Sequence, residues 1–288
     1  MKRRALVLGA GGQAGIAWEI GLSAGLSAAG LDIAHADFIL GTSAGSFVGA
    51  QLGTGINPQA LAQMHMRAAQ DPVRNRPPEP PVNTDHLIEF MSKRPYDSEP
   101  SASAMAALGR IALAAKVMPE AQFLTVFAGM FGPTAAWSDR FGCCTVGAAD
   151  GAFKLWRKAD DVSLERAVAA SCSVPGLHPP VSIQGSQWMD GGVRSWTNAD
   201  LVAGYERVLV VAVARGDTLA PINAMLARER AAIEQANGTM TLIMPDAQSV
   251  ELFGDNLMRV ARVADLVAAG IAQGRAEAAR VRTLWDAA

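Results

Sequence analysis

Read for its hydrophobic pattern, the chain opens with Arg3-Arg4 and then four apolar residues, Ala5-Leu6-Val7-Leu8, closed by Gly9-Ala10-Gly11-Gly12. A short apolar run ended by glycine predicts a buried strand and a tight turn. Helical patterning follows over 13–29, and a second strand over 37–40 leads into Gly41-Thr42-Ser43-Ala44-Gly45 and a helix ending near Gly53. Strand, helix, strand, helix at this spacing is a βαβ unit, so the strands are expected to be parallel with helices on their faces. Helical periodicity returns over 58–70.

The pattern breaks at Asp71. Between there and Pro100 stand seven prolines among many charges, which leaves room for no regular element beyond a short helix at His86–Met91. Residues 101–131 are helix-compatible again, with Met105, Leu108, Ile111 and Ala115 at spacing three to four. The stretch 72–138 therefore reads as an insertion laid over the core as a cap. Its apolar stripe suits either plain packing or a wall for an acyl chain.

Core patterning resumes with strands at 143–148 and 153–156, joined by a turn at Asp150-Gly151. Ser163 is placed to cap a helix running to about Cys172. Val181–Ile183 and Gln187–Met189 form a predicted hairpin, and Val208–Val213 is apolar throughout, as in a strand covered on both faces. Long helices at about 221–236 and 256–282, within a helical C-terminal region 221–288, flank one more strand near 240–244. The expectation is one domain over 1–288, an α/β protein with a three-layer α/β/α sandwich around a mostly parallel sheet.

Composition narrows the partners. Half the residues are apolar, 18% are charged and the net charge is -2, so neither disorder nor nucleic-acid binding is indicated. Three cysteines, two of them adjacent (Cys143, Cys144), make a poor disulfide framework and suit a reducing, cytoplasmic compartment. Met1-Lys2-Arg3-Arg4 resembles the start of a signal peptide, but the apolar run after it is too short for one.

Candidate chemistry sits at the strand ends. Gly41-Thr42-Ser43-Ala44-Gly45 fits G-x-S-x-G between a strand and a helix, where small neighbours let a sharp turn project the serine oxygen; an ordinary tight βα turn is the plain alternative. An α/β-hydrolase triad would need a later histidine. His35 precedes the serine, His65 lies in a helical stretch and His86 in the proline-rich run. Only His178, in Pro175-Gly176-Leu177-His178-Pro179-Pro180, is placed for the task, and a histidine among prolines suits a loop wall better. Asp190-Gly191-Gly192 offers a carboxylate that could act as base if buried, since burial raises its pKa toward working pH; it also reads as a plain β-turn. Gly9-Ala10-Gly11-Gly12-Gln13-Ala14-Gly15 could aim backbone N–H groups at an oxyanion. The same residues read as a Rossmann-like dinucleotide turn, but no acid closes the second strand to hold a ribose.

Together, the glycine turn, the elbow and the D-G-G, in this order, resemble the patatin-like phospholipases. Ala169-Ala170-Ser171-Cys172-Ser173-Val174-Pro175, Pro179-Pro180-Val181 and Asn198-Ala199-Asp200 are similar as well. The resemblance spans roughly 5–54 and 141–214. It implies a patatin-like fold, Ser43 as nucleophile with Asp190 as its base, and an oxyanion hole at Gly11 and Gly12. Gly15, Gly41, Gly45, Gly191 and Gly192 would be the motif glycines. The activity implied is a serine acyl-hydrolase of lipase, esterase or phospholipase A type, without metal or cofactor, acting on a lipid or acyl ester and in peripheral contact with membranes. Ala10 and Ala14 depart from the family, which commonly has a glycine and a basic residue there. The missing basic group argues for an ester substrate more broadly defined than a phospholipid. A catalytically silent lipid-binding relative and a dinucleotide-binding protein stand as the alternatives.

Overall fold

The computed structural model describes residues 3–70, 98–128, 130–131, 136–258 and 262–285. The order is β1 (Arg4–Leu8), α1 (Gly12–Ala28), β2 (Phe38–Gly41), α2 (Ala44–Gly53), α3 (Pro58–Ala68), α4 (Ala102–Ala114), α5 (Glu120–Ala128), β3 (Phe141–Gly147), β4 (Phe153–Arg157) and α6 (Leu164–Ser171). There follow β5 (Val181–Ile183), β6 (Ser186–Asp190), β7 (Arg207–Val211), α7 (Leu219–Gln235), β8 (Thr239–Ile243), α8 (Ala247–Phe253) and α9 (Val263–Trp285).

The strands form one mixed, eight-stranded sheet. β3, β2, β1, β7 and β8 pair in parallel, while β4 and β6 run antiparallel to β3 and β5 antiparallel to β6. Strand alternation sorts the core into two layers. Leu6 and Leu8 pack on one face with Trp18, Ile20 and Leu22 of α1 and Leu266 of α9, whereas Ala5 and Val7 pack on the other with Ile222, Met225 and Leu226 of α7. The expected α/β/α sandwich is thus the observed one. Each of β1 and β7 opens with an arginine, Arg4 or Arg207, and beyond it is covered on both faces, which is why 5–8 and 208–211 read as continuous apolar runs.

Three sequence expectations need adjustment. The helical stretch 101–131 divides into α4 and α5, because Ala115 at the end of α4 turns to extended backbone and Pro119 follows. On α4 the buried face is Met105, Leu108 and Ala112, while Ile111 is 38% exposed, so it falls outside the stripe expected of it. The predicted helix at 256–282 begins only at Val263, and a separate α8 precedes it, ended by Gly254 at φ 62°. The short helix expected at His86–Met91 lies outside the described residues.

Two ladders position the site. Cys143 on β3 pairs with both Gly41 of β2 and Trp156 of β4, and Thr145 pairs with both Asp190 of β6 and Lys154 of β4. Since β4 occupies one edge of β3 throughout, β2 and β6 share the other. They arrive from opposite directions, and their ends, Gly41 and Asp190, stop two residues apart along β3.

Candidate active site

Ser43 stands between the end of β2 and the first turn of α2, with φ 53° and ψ -117°. A non-glycine residue in such a backbone region carries strain of order 1–3 kcal/mol and persists only where its surroundings hold it. Here the hold is dense. The Ser43 N–H donates to Ser171 Oγ at 3.1 Å, and its carbonyl accepts from Ser46 Oγ at 2.6 Å and Cys172 Sγ at 3.2 Å. The flanking glycines allow the turn: a Cβ on Gly41 would lie 2.4 Å from Ser46 Cα, and one on Gly45 would lie 2.0 Å from Leu8 O. Both are shorter than any tolerable contact, so the small residues of the pentapeptide are a steric requirement.

Asp190, at the end of β6, is 5% exposed. Its side-chain partner is Ser43, and its Oδ1 accepts the Gly192 N–H at 2.7 Å. Burial pushes its carboxyl up from 3.8 to about 7, against the opposing pull of the Ser43 hydroxyl and the Gly192 N–H. The aspartate is therefore held neutral in acid and becomes a carboxylate near neutral pH, poised to take a proton from the hydroxyl beside it. Gly191 sits where a Cβ would come within 2.4 Å of Cys144 O, which keeps the turn flush against β3.

The glycine turn closes the third side. Gly45 N donates to Gly9 O at 2.9 Å, and Ala10 N donates to Trp196 O at 2.7 Å, so the turn is tied to the elbow and to the chain after the D-G-G. A Cβ on Gly15 would sit 3.3 Å from Ala44 Cβ, and one on Gly192 would sit 3.5 Å from Ala10 Cβ. Gly11 and Gly12 open α1, and among the described residues nothing accepts their N–H groups. Unpaired amides at a helix N-terminus favour negative charge in front of them.

Among the described residues, no histidine bonds to Ser43 or Asp190. His178 places Nδ1 3.0 Å from Cys172 O and stacks on Phe123 with ring centroids 4.8 Å apart, and burial lowers its pKa. His35 pairs with Asp32 at 2.6 Å in the loop before β2, and His65 lies on α3. His86 is outside the described residues.

Several supporting residues had no assigned role in the sequence. Ser171 and Cys172, which grip Ser43, belong to a stretch singled out only by resemblance. Asn198, at φ 53°, donates to Thr42 Oγ1 at 3.1 Å, to Gly191 O at 3.3 Å and to Ser195 O at 2.7 Å, and accepts from Arg194 at 2.8 Å. It thereby joins the elbow to the aspartate turn. Glu19 on α1 is wholly buried, and burial raises its pKa well above the usual range against the pull of the Gly9 backbone. Its position on an otherwise apolar helical face was the one available signal. Two further helices flank the site: α4 packs Met105 and Leu108 on Met189 and Val193 around Asp190, and Phe131, beyond α5, packs on Phe47 of α2 at 6.0 Å.

A sequence model of the patatin-like phospholipases matches residues 6–203. No curated protein matches the chain. Among solved structures, VipD from Legionella pneumophila is similar at 14% identity and a TM-score of 0.48, over 96% of this chain and 67% of that one. The type III effector protein ExoU is similar at 17% identity and a TM-score of 0.43, over 98% of this chain and 53% of that one. This chain thus spans about half the length of ExoU.

Proposed function

Because the chain belongs to the patatin-like phospholipase family, we propose that it is a lipid acyl hydrolase working through a Ser43–Asp190 dyad and an acyl-enzyme. The observation that carries this reading is the buried pair itself: a serine held in strained backbone beside a buried carboxyl that bonds to it and is raised to about 7.

In the first step the Ser43 oxygen bonds to the ester carbonyl carbon while its proton passes to Asp190. The carbonyl oxygen becomes an oxyanion, and the N–H groups of Gly11 and Gly12 stabilise it. Breaking the bond to the leaving alcohol returns the Asp190 proton to that alcohol. Water then attacks the acyl-enzyme, Asp190 takes its proton, and Ser43 recovers a proton as the fatty acid departs. One aspartate serves both half-reactions. Ala14 supplies no basic group at the turn, which supports carboxyl esters broadly as substrates.

A fluorophosphonate probe with peptide mapping tests the assignment. Modification at Ser43, lost in Ser43→Ala along with turnover of p-nitrophenyl butyrate, is the expected result. Modification at another residue, or turnover retained in a folded Ser43→Ala, would overturn it.

A further inference from the structure

Beyond residue 203, where the family match ends, the chain returns to the glycine turn. Residues 254–258, between α8 and α9, lie against the first turn of α1: Leu257 O accepts the Ala14 N–H at 3.0 Å. A Cβ on Gly12 would meet Leu257 O at 2.7 Å and Met258 Sδ at 2.8 Å, so even an alanine there would collide with this segment. Arg215, just past β7, fastens it, with Nη1 donating to Gly254 O at 3.0 Å and Nη2 to Asp255 O at 2.5 Å. Asn256 tightens its end by accepting the Met258 N–H at 2.9 Å. From the same stretch after β7, Val213 lies under Gly11, where a Cβ would meet its Cγ2 at 2.7 Å.

We propose that residues 254–258 form a strap completing the acyl site beside the oxyanion turn, with Met258 determining which acyl groups fit and Arg215 positioning the strap. The proposal rests on the hydrolase reading above. Met258 packs on Gly12, whose N–H the hydrolase reading assigns to the oxyanion, which sets it at the carbonyl end of the acyl group and not at its tail. Met258 therefore senses bulk on the first acyl carbons rather than total chain length, and a flexible thioether yields to a linear chain more readily than to a branched one.

The readout is the ratio of kcat/KM for p-nitrophenyl butyrate over p-nitrophenyl 2-methylbutyrate. Removing the side chain should relax discrimination worth about one buried methyl group, on the order of tenfold. Met258→Ala should lower the ratio by about that factor and Met258→Trp should raise it. Arg215→Gln should lower it too, with partial rescue by Arg215→Lys, a restoration that general loosening of the fold would not produce. A ratio unmoved in folded Met258→Ala and Met258→Trp, with normal turnover of the linear ester, overturns the strap alone. Absence of both turnover and fluorophosphonate labelling in the parent enzyme overturns the hydrolase reading and the strap with it.

Discussion

Asp190→Asn separates catalysis from stability in a way that only a buried base predicts. A folded-state pKa of about 7 against 3.8 is a shift of some three pH units, and at about 1.4 kcal/mol per unit the ionised form is disfavoured by roughly 4 kcal/mol. The sign follows from linkage. Below pH 3.8 the carboxyl is protonated in folded and unfolded chains alike and costs nothing. Between 3.8 and 7 the unfolded chain loses its proton first, so stability falls as pH rises, and above 7 the full penalty remains. Asparagine keeps the shape and never ionises. The variant should therefore be inactive yet, at pH 8.5, more stable than the parent by up to about 4 kcal/mol, with the advantage gone near pH 3.5.

Two assays check this. Urea unfolding of parent and variant at pH 3.5, 6 and 8.5 reads the difference; Glu19 and Glu229, also raised by burial, contribute to both proteins and drop out of it. A pH profile of kcat/KM in the parent should rise tenfold per unit to a midpoint near 7 and then level off. A flat profile between pH 5 and 8, or a variant no more stable than the parent at pH 8.5, would refute the reasoning.

Ser43→Ala should lower kcat by on the order of 10⁶ with little change in folding, measured by ester turnover and thermal melting. Ser43→Gly should be equally inactive but more stable by about 1 kcal/mol, because glycine accepts φ 53° without strain. His178→Ala and His35→Ala should keep most activity; a folded His178→Ala as inactive as Asp190→Asn would restore a histidine base. Glu19→Gln should raise stability at pH 8 and leave it unchanged near pH 4, since its buried carboxyl is a penalty only when ionised. Met105→Ala and Phe127→Ala, in separate stable variants, should shift the ratio of kcat/KM between short and long p-nitrophenyl esters; an unchanged profile in both would mean that the cap is packing alone.

What the sequence made legible is local. Ser43 announces itself because its neighbours must be glycine and its context must be strand then helix, and both conditions are written within a dozen residues. Asp190 is marked by the two glycines after it. What joins them is not local: no spacing along the chain says that β2 and β6 meet on one edge of β3, nor that Ser171 and Cys172 carry the elbow from 128 residues away. The strap was invisible for the same reason, since Leu257 and Met258 follow Gly254-Asp255 in what reads as the start of a helix.

The polar network behind the dyad explains how two opposed strand ends stay in register. Gly41 and Asp190 are both registered on β3, two residues apart. Asn198 adds a second tie between them, bonding to Thr42 on one side and to Gly191 O on the other. Arg194 holds Asn198 in turn, pairs with Asp200 at 2.6 Å and also with Glu99 at the entry to α4, and stacks over Phe153 at 4.8 Å. Arg194 is only 6% exposed, so its bond to the buried Asn198 is made with little competition from water, whereas Glu99 is half exposed. One guanidinium thus ties the residues just before α4 to the polar network between the elbow and the Asp190 turn.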